Sequence, residues 1–132
     1  MPARLALLAV ACAALAFGAL QLRDVRSCES AQRAATAAGT GRGDPARAAS
    51  DLLSSCDGAL PLATGSVAMT RARRPGEAER LASAAVRRQP DDYVSWLALA
   101  FVRQTRGDAA GAARARGRAR ELNPLAAALH RR

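Results

Sequence analysis

The sequence predicts an all-α fold, an α-solenoid of about three stacked antiparallel helical hairpins behind an N-terminal transmembrane or signal helix. Composition excludes the alternatives: half of the 132 residues are hydrophobic but only 3% are aromatic, and alanine carries most of the apolar content. Alanine favours helix and buries little area per residue, so any core must be a thin one between closely packed helices. β-branched and aromatic residues are too few and too scattered to build a sandwich or barrel. The length allows one small domain. Within it, Gly, Pro and Asp signals recur at the intervals that separate short helices.

The first element is an apolar run. From Leu5 to Leu22 no residue is charged, and the run is bracketed by Arg4 on one side and by Arg23, Asp24 and Arg26 on the other. That run is just long enough to span the hydrocarbon of a bilayer as one helix. A cleaved secretory signal is the rival, because Ala14-Leu15-Ala16 supplies small residues in an A-x-A arrangement after an apolar stretch. Ala9-Val10-Ala11-Cys12 faintly resembles a lipoprotein box, although the apolar run before it is short and the usual leucine is missing. Residues 1–22 are thus set apart as anchor or signal, and residues 23–132 as the helical domain. Basic residues on both flanks leave the orientation open to arginine counting.

Helices are expected near 24–38, 44–56, 59–73, 76–88, 91–106 and 108–122, with a short tail helix after Pro124. These pair into hairpins at about 24–56, 59–90 and 91–124. The first hairpin turns through Gly39-Thr40-Gly41-Arg42-Gly43, and Asp44 with Pro45 opens its second helix as N-cap and first helical residue. Cys28 and Cys56 have their midpoint at residue 42, inside that turn. Residues equidistant from a hairpin turn meet at its open end, so the two form a disulfide candidate, with two unrelated buried thiols as the alternative. A bridge would place the domain in an oxidising compartment. Cys12 lies in the apolar run.

The later helices repeat with a period of 34: Ala78 recurs as Ala112, Ala85 as Ala119 and Pro90 as Pro124, while Leu62 aligns with Trp96, Ser66 with Ala100 and Val67 with Phe101. The best unit runs from Tyr93 to Ala126, with Trp96, Leu99 and Ala100, a Gly107-Asp108 turn, Ala112, Ala119 and Leu122-Asn123-Pro124. This pattern resembles the tetratricopeptide repeat. In the middle unit Gly65 stands in place of the usual leucine and Ala82 in place of the second-helix aromatic, and in the last unit Arg103 and Arg116 stand where aromatics are common. The first hairpin lacks a large anchor and needs a shift in register. Each repeat buries its apolar face only against neighbours, so about three are needed, and the first hairpin is expected to act as a cap held by the disulfide.

The resemblance implies a groove lined by the first helix of each hairpin, in which a partner protein or peptide docks. The matching positions are Leu60, Ala63, Val67, Thr70 and Arg71 in the middle unit, and Val94, Leu97, Phe101, Gln104 and Thr105 in the last. The groove lacks the Lys and Asn set with which chaperone-binding members grip a terminal carboxylate. The competing reading makes Leu97 and Phe101 core residues, covered by a neighbouring hairpin or the C-terminal helix.

The formal charge is +9, and all 20 basic residues are arginine. Arginine without lysine, with abundant Ala, Gly and Pro, is the mark of a GC-rich coding sequence, which weakens the basic charge as a sign of a nucleic-acid partner. Arg114, Arg116, Arg118 and Arg120 form two adjacent rows on the last long helix. An anionic lipid surface or acidic envelope polymer is the alternative partner for this basic face, and a solvated helix face is the plain reading. Nucleic acid is not expected, since no aromatic stacking surface accompanies the arginines.

Enzyme chemistry has little to work with. His130 is the single histidine and stands near the C-terminus, so neither a triad nor a His-containing zinc site is readily built, and no metal or cofactor is expected. Asp44, Glu77, Glu79, Asp91, Asp92 and Asp108 fall at helix starts, where a carboxylate favours the dipole. Arg42-Gly43-Asp44 matches an integrin-binding tripeptide, but Asp44 is better used as a cap. The sequence therefore predicts a non-enzymatic interaction or scaffolding module of the cell envelope. Its repeat domain is expected to be extracytoplasmic on a single-pass anchor, or secreted or periplasmic after cleavage.

Overall fold

The computed structural model describes the backbone of residues 2–125 and the side chains of residues 10–20 and 22–125. Six helices account for almost all of it: α1 (Pro2–Gly39), α2 (Pro45–Ser55), α3 (Ala59–Arg71), α4 (Pro75–Arg88), α5 (Tyr93–Thr105) and α6 (Ala109–Leu122). Five of the six lie where the sequence places them. The first is different. The helix expected to begin at residue 24 is the C-terminal part of a single α1 that starts at Pro2, with no proline or glycine between Leu22 and Ser27 to break it and Asp24 lying inside the helix rather than capping it. Among the described residues no helix is long and apolar enough to cross a membrane. Most of the tail helix expected after Pro124, and His130 with it, lies outside the described residues.

Side-chain caps start three of the helices. The Asp44 carboxylate accepts from the Ala46 N–H at 2.9 Å, and Pro45 occupies the first turn of α2. Asp92 accepts from the N–H groups of Val94 and Ser95 at 3.2 and 3.0 Å, and Asp108 accepts from that of Gly111 at 2.8 Å. Each such cap contributes about 1 kcal/mol. A Cβ on Gly111 would strike the Asp108 carboxylate, so the last cap needs glycine at that position.

The first helices of the three hairpins all end in one hydrogen-bonding pattern. Arg42 N–H donates to the Ala37 carbonyl at 2.8 Å, Arg74 N–H to Met69 at 2.9 Å and Asp108 N–H to Arg103 at 3.0 Å. Each bond closes over a residue of positive φ, at +82° for Gly41, +56° for Arg73 and +82° for Gly107. Glycine enters this conformation freely, whereas a residue with a Cβ pays about 1–2 kcal/mol.

Three hairpins follow, α1 on α2, α3 on α4 and α5 on α6. The first helices α1, α3 and α5 pack side by side in that order, and α2 and α4 lie behind them. The core is thin and alanine-rich. Its largest fully buried hydrophobic side chains include Leu52, Leu62, Met69, Leu81 and Val102, set among Ala35, Ala49, Ala82, Ala85 and others. Small residues let the helices approach closely: a Cβ on Gly39 would lie 3.1 Å from the Cβ of Ala68, and one on Gly65 would overlap the Leu52 side chain.

Cys28 and Cys56 are bridged, with their Cα atoms 4.8 Å apart, and the bond ties α1 to the end of α2. A second clasp comes from α4. The Arg88 guanidinium donates to the carbonyl oxygens of Cys56 and, at 2.8 Å, of Leu53, satisfying groups that the end of α2 leaves without helical partners. Glu79 on α4 faces Arg103 at 3.2 Å and Arg106 at 3.5 Å, which ties the middle hairpin to α5.

Candidate interaction surface

The face presented by α3 and α5 is built from residues that point away from the alanine core. Buried Leu62, Ser66 and Met69 set the inner side of α3, and buried Ser95, Ala98, Leu99 and Val102 that of α5. The stripe Leu60, Thr64, Val67, Arg71 occupies another side of α3, at the i, i+4, i+7, i+11 spacing of one helix face. On α5, Val94, Leu97, Phe101 and Gln104 share one face at i, i+3, i+7, i+10 spacing, the positions that correspond to Leu60, Ala63, Val67 and Thr70.

Exposure separates the expected groove residues. Leu60 is 58% exposed, and Leu97 and Phe101 are each 45% exposed, so neither Leu97 nor Phe101 is a core residue among the described part of the chain. Val67, Thr70 and Val94 are half-buried, and Arg71, Gln104 and Thr105 are exposed. Ala63 is a correction. It is 2% exposed and belongs to the core, although the repeat matches it to Leu97. The reason is position in the stack: α3 is flanked by both α1 and α5, whereas α5 has α3 alone beside it among the first helices.

α1 carries a surface of its own. Glu29, Gln32, Arg33, Thr36, Thr40 and Arg42 border an open cleft of about 700 Å³ beside the first hairpin. Sequence reasoning missed these residues because it sought a shifted register for that hairpin. In fact α1 keeps the period of 34: Cys28, Ala31 and Ala35 stand that far before Leu62, Gly65 and Met69, and all six face inward. The shift lies in α2, where buried Ala48, Ala49 and Leu52 match Leu81, Ala82 and Ala85 with a period of 33 instead. The unshifted period carries Val67 and Thr70 back to Arg33 and Thr36, and so would have found both.

The arginine rows on α6 are not one uniform face. Arg114, Arg118 and Arg120 are exposed, but Arg116 is half-buried and donates to the Gln104 side chain on α5. Arg118 pairs with Glu121 at 2.8 Å on the same helix. Gln104 is therefore held against α6, while Thr105 donates to the Val102 carbonyl at 2.8 Å. Asp44 of the Arg42-Gly43-Asp44 tripeptide is engaged as the cap of α2. Among the described residues no group of three or more His, Cys, Asp or Glu side chains is placed to hold a metal ion, and Cys12 is an exposed free thiol.

No family model, curated protein or solved structure matches this chain. The surface is consequently read from its own geometry: a layer of three first helices, apolar at Leu60, Leu97 and Phe101, and polar toward Thr36, Thr70 and Gln104.

Proposed function

We propose that this protein is a non-enzymatic binding module in which a segment of a partner protein docks across α1, α3 and α5, in the manner of a tetratricopeptide array. The observation that carries this reading is the half-exposed pair Leu97 and Phe101, held out of the core on the outer side of α5 in a chain that has little large apolar material to spare. The recurring sequence period and the packing of first helix on first helix support the repeat assignment. The disulfide supports an oxidising, extracytoplasmic setting. The apolar start of α1 would act there as an export signal, or as an anchor in the membrane.

The basic face of α6 as a site for anionic lipid or polymer is the weaker reading, because two of its four arginines already have side-chain partners. A photo-crosslinking residue at position 101 tests the choice in cells that express the protein. The groove reading expects a protein adduct from position 101 that disappears with Leu97→Glu, and none from position 80 on the outer helix α4. Adducts from position 114 on α6 alone would overturn it. Circular dichroism on each variant must show retained helicity, which the exposure of Leu97 favours.

A further inference from the structure

The tip of the middle hairpin departs from its two neighbours in a way that packing does not explain. All three first helices close over a residue of positive φ, and in the outer two that residue is glycine, Gly41 and Gly107. In the middle one it is Arg73, at φ +56°. A strained backbone position normally selects glycine, and a long side chain kept there points to a use for the side chain. Arg73 is exposed, as are Arg71 and Arg74 beside it. Among the described residues none of the three guanidiniums has an ion pair or hydrogen bond; of the two acids nearby in sequence, Glu77 lies in the first turn of α4 and Glu79 is paired with Arg103 and Arg106.

We propose that Arg71, Arg73 and Arg74 at the α3–α4 tip form a recognition site for a run of Asp or Glu in the partner segment. Guanidiniums offer paired N–H donors that match carboxylates, and three free ones so close together in the chain make a local site rather than a diffuse field. The inference rests on the groove reading for the apolar half of the partner, and it specifies the chemistry of the other half. Leu60, Thr64, Val67 and Arg71 follow one stripe of α3, so the apolar surface leads to the basic tip. From Leu60 to Arg71 the helix rises roughly 16 Å, which an extended chain covers in about five residues. The partner should therefore carry acidic residues about five positions from its apolar ones.

The tip also lies at the end of α1 remote from its apolar start. A bilayer met through that start would stand roughly 25 Å away, counting α1 from Arg23 to Gly39. That is about three Debye lengths at physiological salt, which favours a protein segment over lipid head groups.

Fluorescein-labelled hexaglutamate is the probe, because it has no apolar residue and reports the tip independently of the groove. The full chain should bind it at low salt. Arg71→Gln with Arg74→Gln should weaken that binding roughly tenfold, and Arg73→Gly about threefold, while Arg80→Gln with Arg87→Gln, an equal charge change on the outer helix, should leave it within about twofold. Arg73→Gly should at the same time raise the thermal midpoint by about 2–4 °C, since glycine relieves the strain at that position. Equal losses in the tip and outer-helix variants would overturn the site, and so would failure to bind hexaglutamate. A stronger effect of the tip substitutions on oligothymidylate or on phosphatidylglycerol vesicles than on hexaglutamate would overturn the assignment to a protein segment. If hexaglutamate fails while the crosslink at position 101 persists, the tip falls and the groove stands.

Discussion

Leu52 of α2 fills the space over Gly65 of α3, so closely that a Cβ on the glycine would overlap its side chain. The missing side chain at Gly65 leaves a space on α3 that the neighbouring hairpin fills with leucine. Gly65→Leu should destabilise the fold by about 2–3 kcal/mol through overpacking. Leu52→Ala alone should cost about 2–4 kcal/mol. The two changes together should cost less than their sum by at least about 1 kcal/mol in urea unfolding, and strict additivity would show that the two side chains do not share one space.

The Cys28–Cys56 bridge closes a sequence separation of 28 residues around the first hairpin. Reduction, or Cys28→Ser with Cys56→Ser, should lower stability by about 3 kcal/mol. Amide exchange should show the loss concentrated in α2, whose core contribution is mainly Ala48, Ala49 and Leu52. Non-reducing mass spectrometry of exported protein should find one peptide pair joined through these residues. Complete alkylation of both thiols in native material would contradict it.

Trp96 packs against the core but is only half-buried, and its indole N–H donates to the Pro90 carbonyl at 2.8 Å. Trp96→Ala should cost about 2–3 kcal/mol, less than for a fully enclosed aromatic. Trp96→Phe should cost about 1 kcal/mol, chiefly the lost hydrogen bond. Thermal unfolding by circular dichroism separates the two. An effect of Trp96→Ala below that of Trp96→Phe would place the ring outside the packed structure.

Glu79 has a side chain 23% exposed between Arg103 at 28% and Arg106 at 46%. Its Oε2 is buried without a hydrogen bond and meets Arg106 only at ion-pair distance. Glu79→Gln should cost about 1 kcal/mol, and Arg106→Gln less than about 0.5 kcal/mol because that partner is well solvated. The Glu79→Gln effect should shrink in 1 M salt, where the Debye length is about 3 Å. A loss that salt leaves untouched would assign Glu79 a packing role instead.

Local signals account for much of the architecture. Helix ends are set by groups within a few residues of one another, so Asp44 with Pro45, Asp92 and Asp108 announced the starts of α2, α5 and α6 before any packing was known. The equal distances of Cys28 and Cys56 from the turn announced their bridge for the same reason, because a hairpin converts sequence symmetry into proximity. Burial is different in kind, since it depends on what lies beside a helix. Ala63 and Leu97 hold the same place in the repeat, yet the first is enclosed between α1 and α5 while the second stands on the open flank. The sequence shows that the first hairpin needs a shift in register but not that the shift lies in α2 alone, with α1 keeping the period of 34, because alanine is so frequent that either register finds a match.

The sequence by itself determined that this chain is helical and, to within about two residues, where all but the first helix begin and end, through caps, turns and hydrogen bonds that act over a few residues, and it singled out Cys28 and Cys56 as the candidate pair. Only the tertiary structure decided that Leu52 takes the place left by Gly65 and that Arg88 closes the end of α2. Only it left Leu97 and Phe101 uncovered and set Arg73 in a conformation that its neighbours fill with glycine. The physical reason is range: these outcomes depend on which surfaces face each other once the hairpins stack, and residues far apart in the chain, as Leu53 and Arg88 are, then meet in one space.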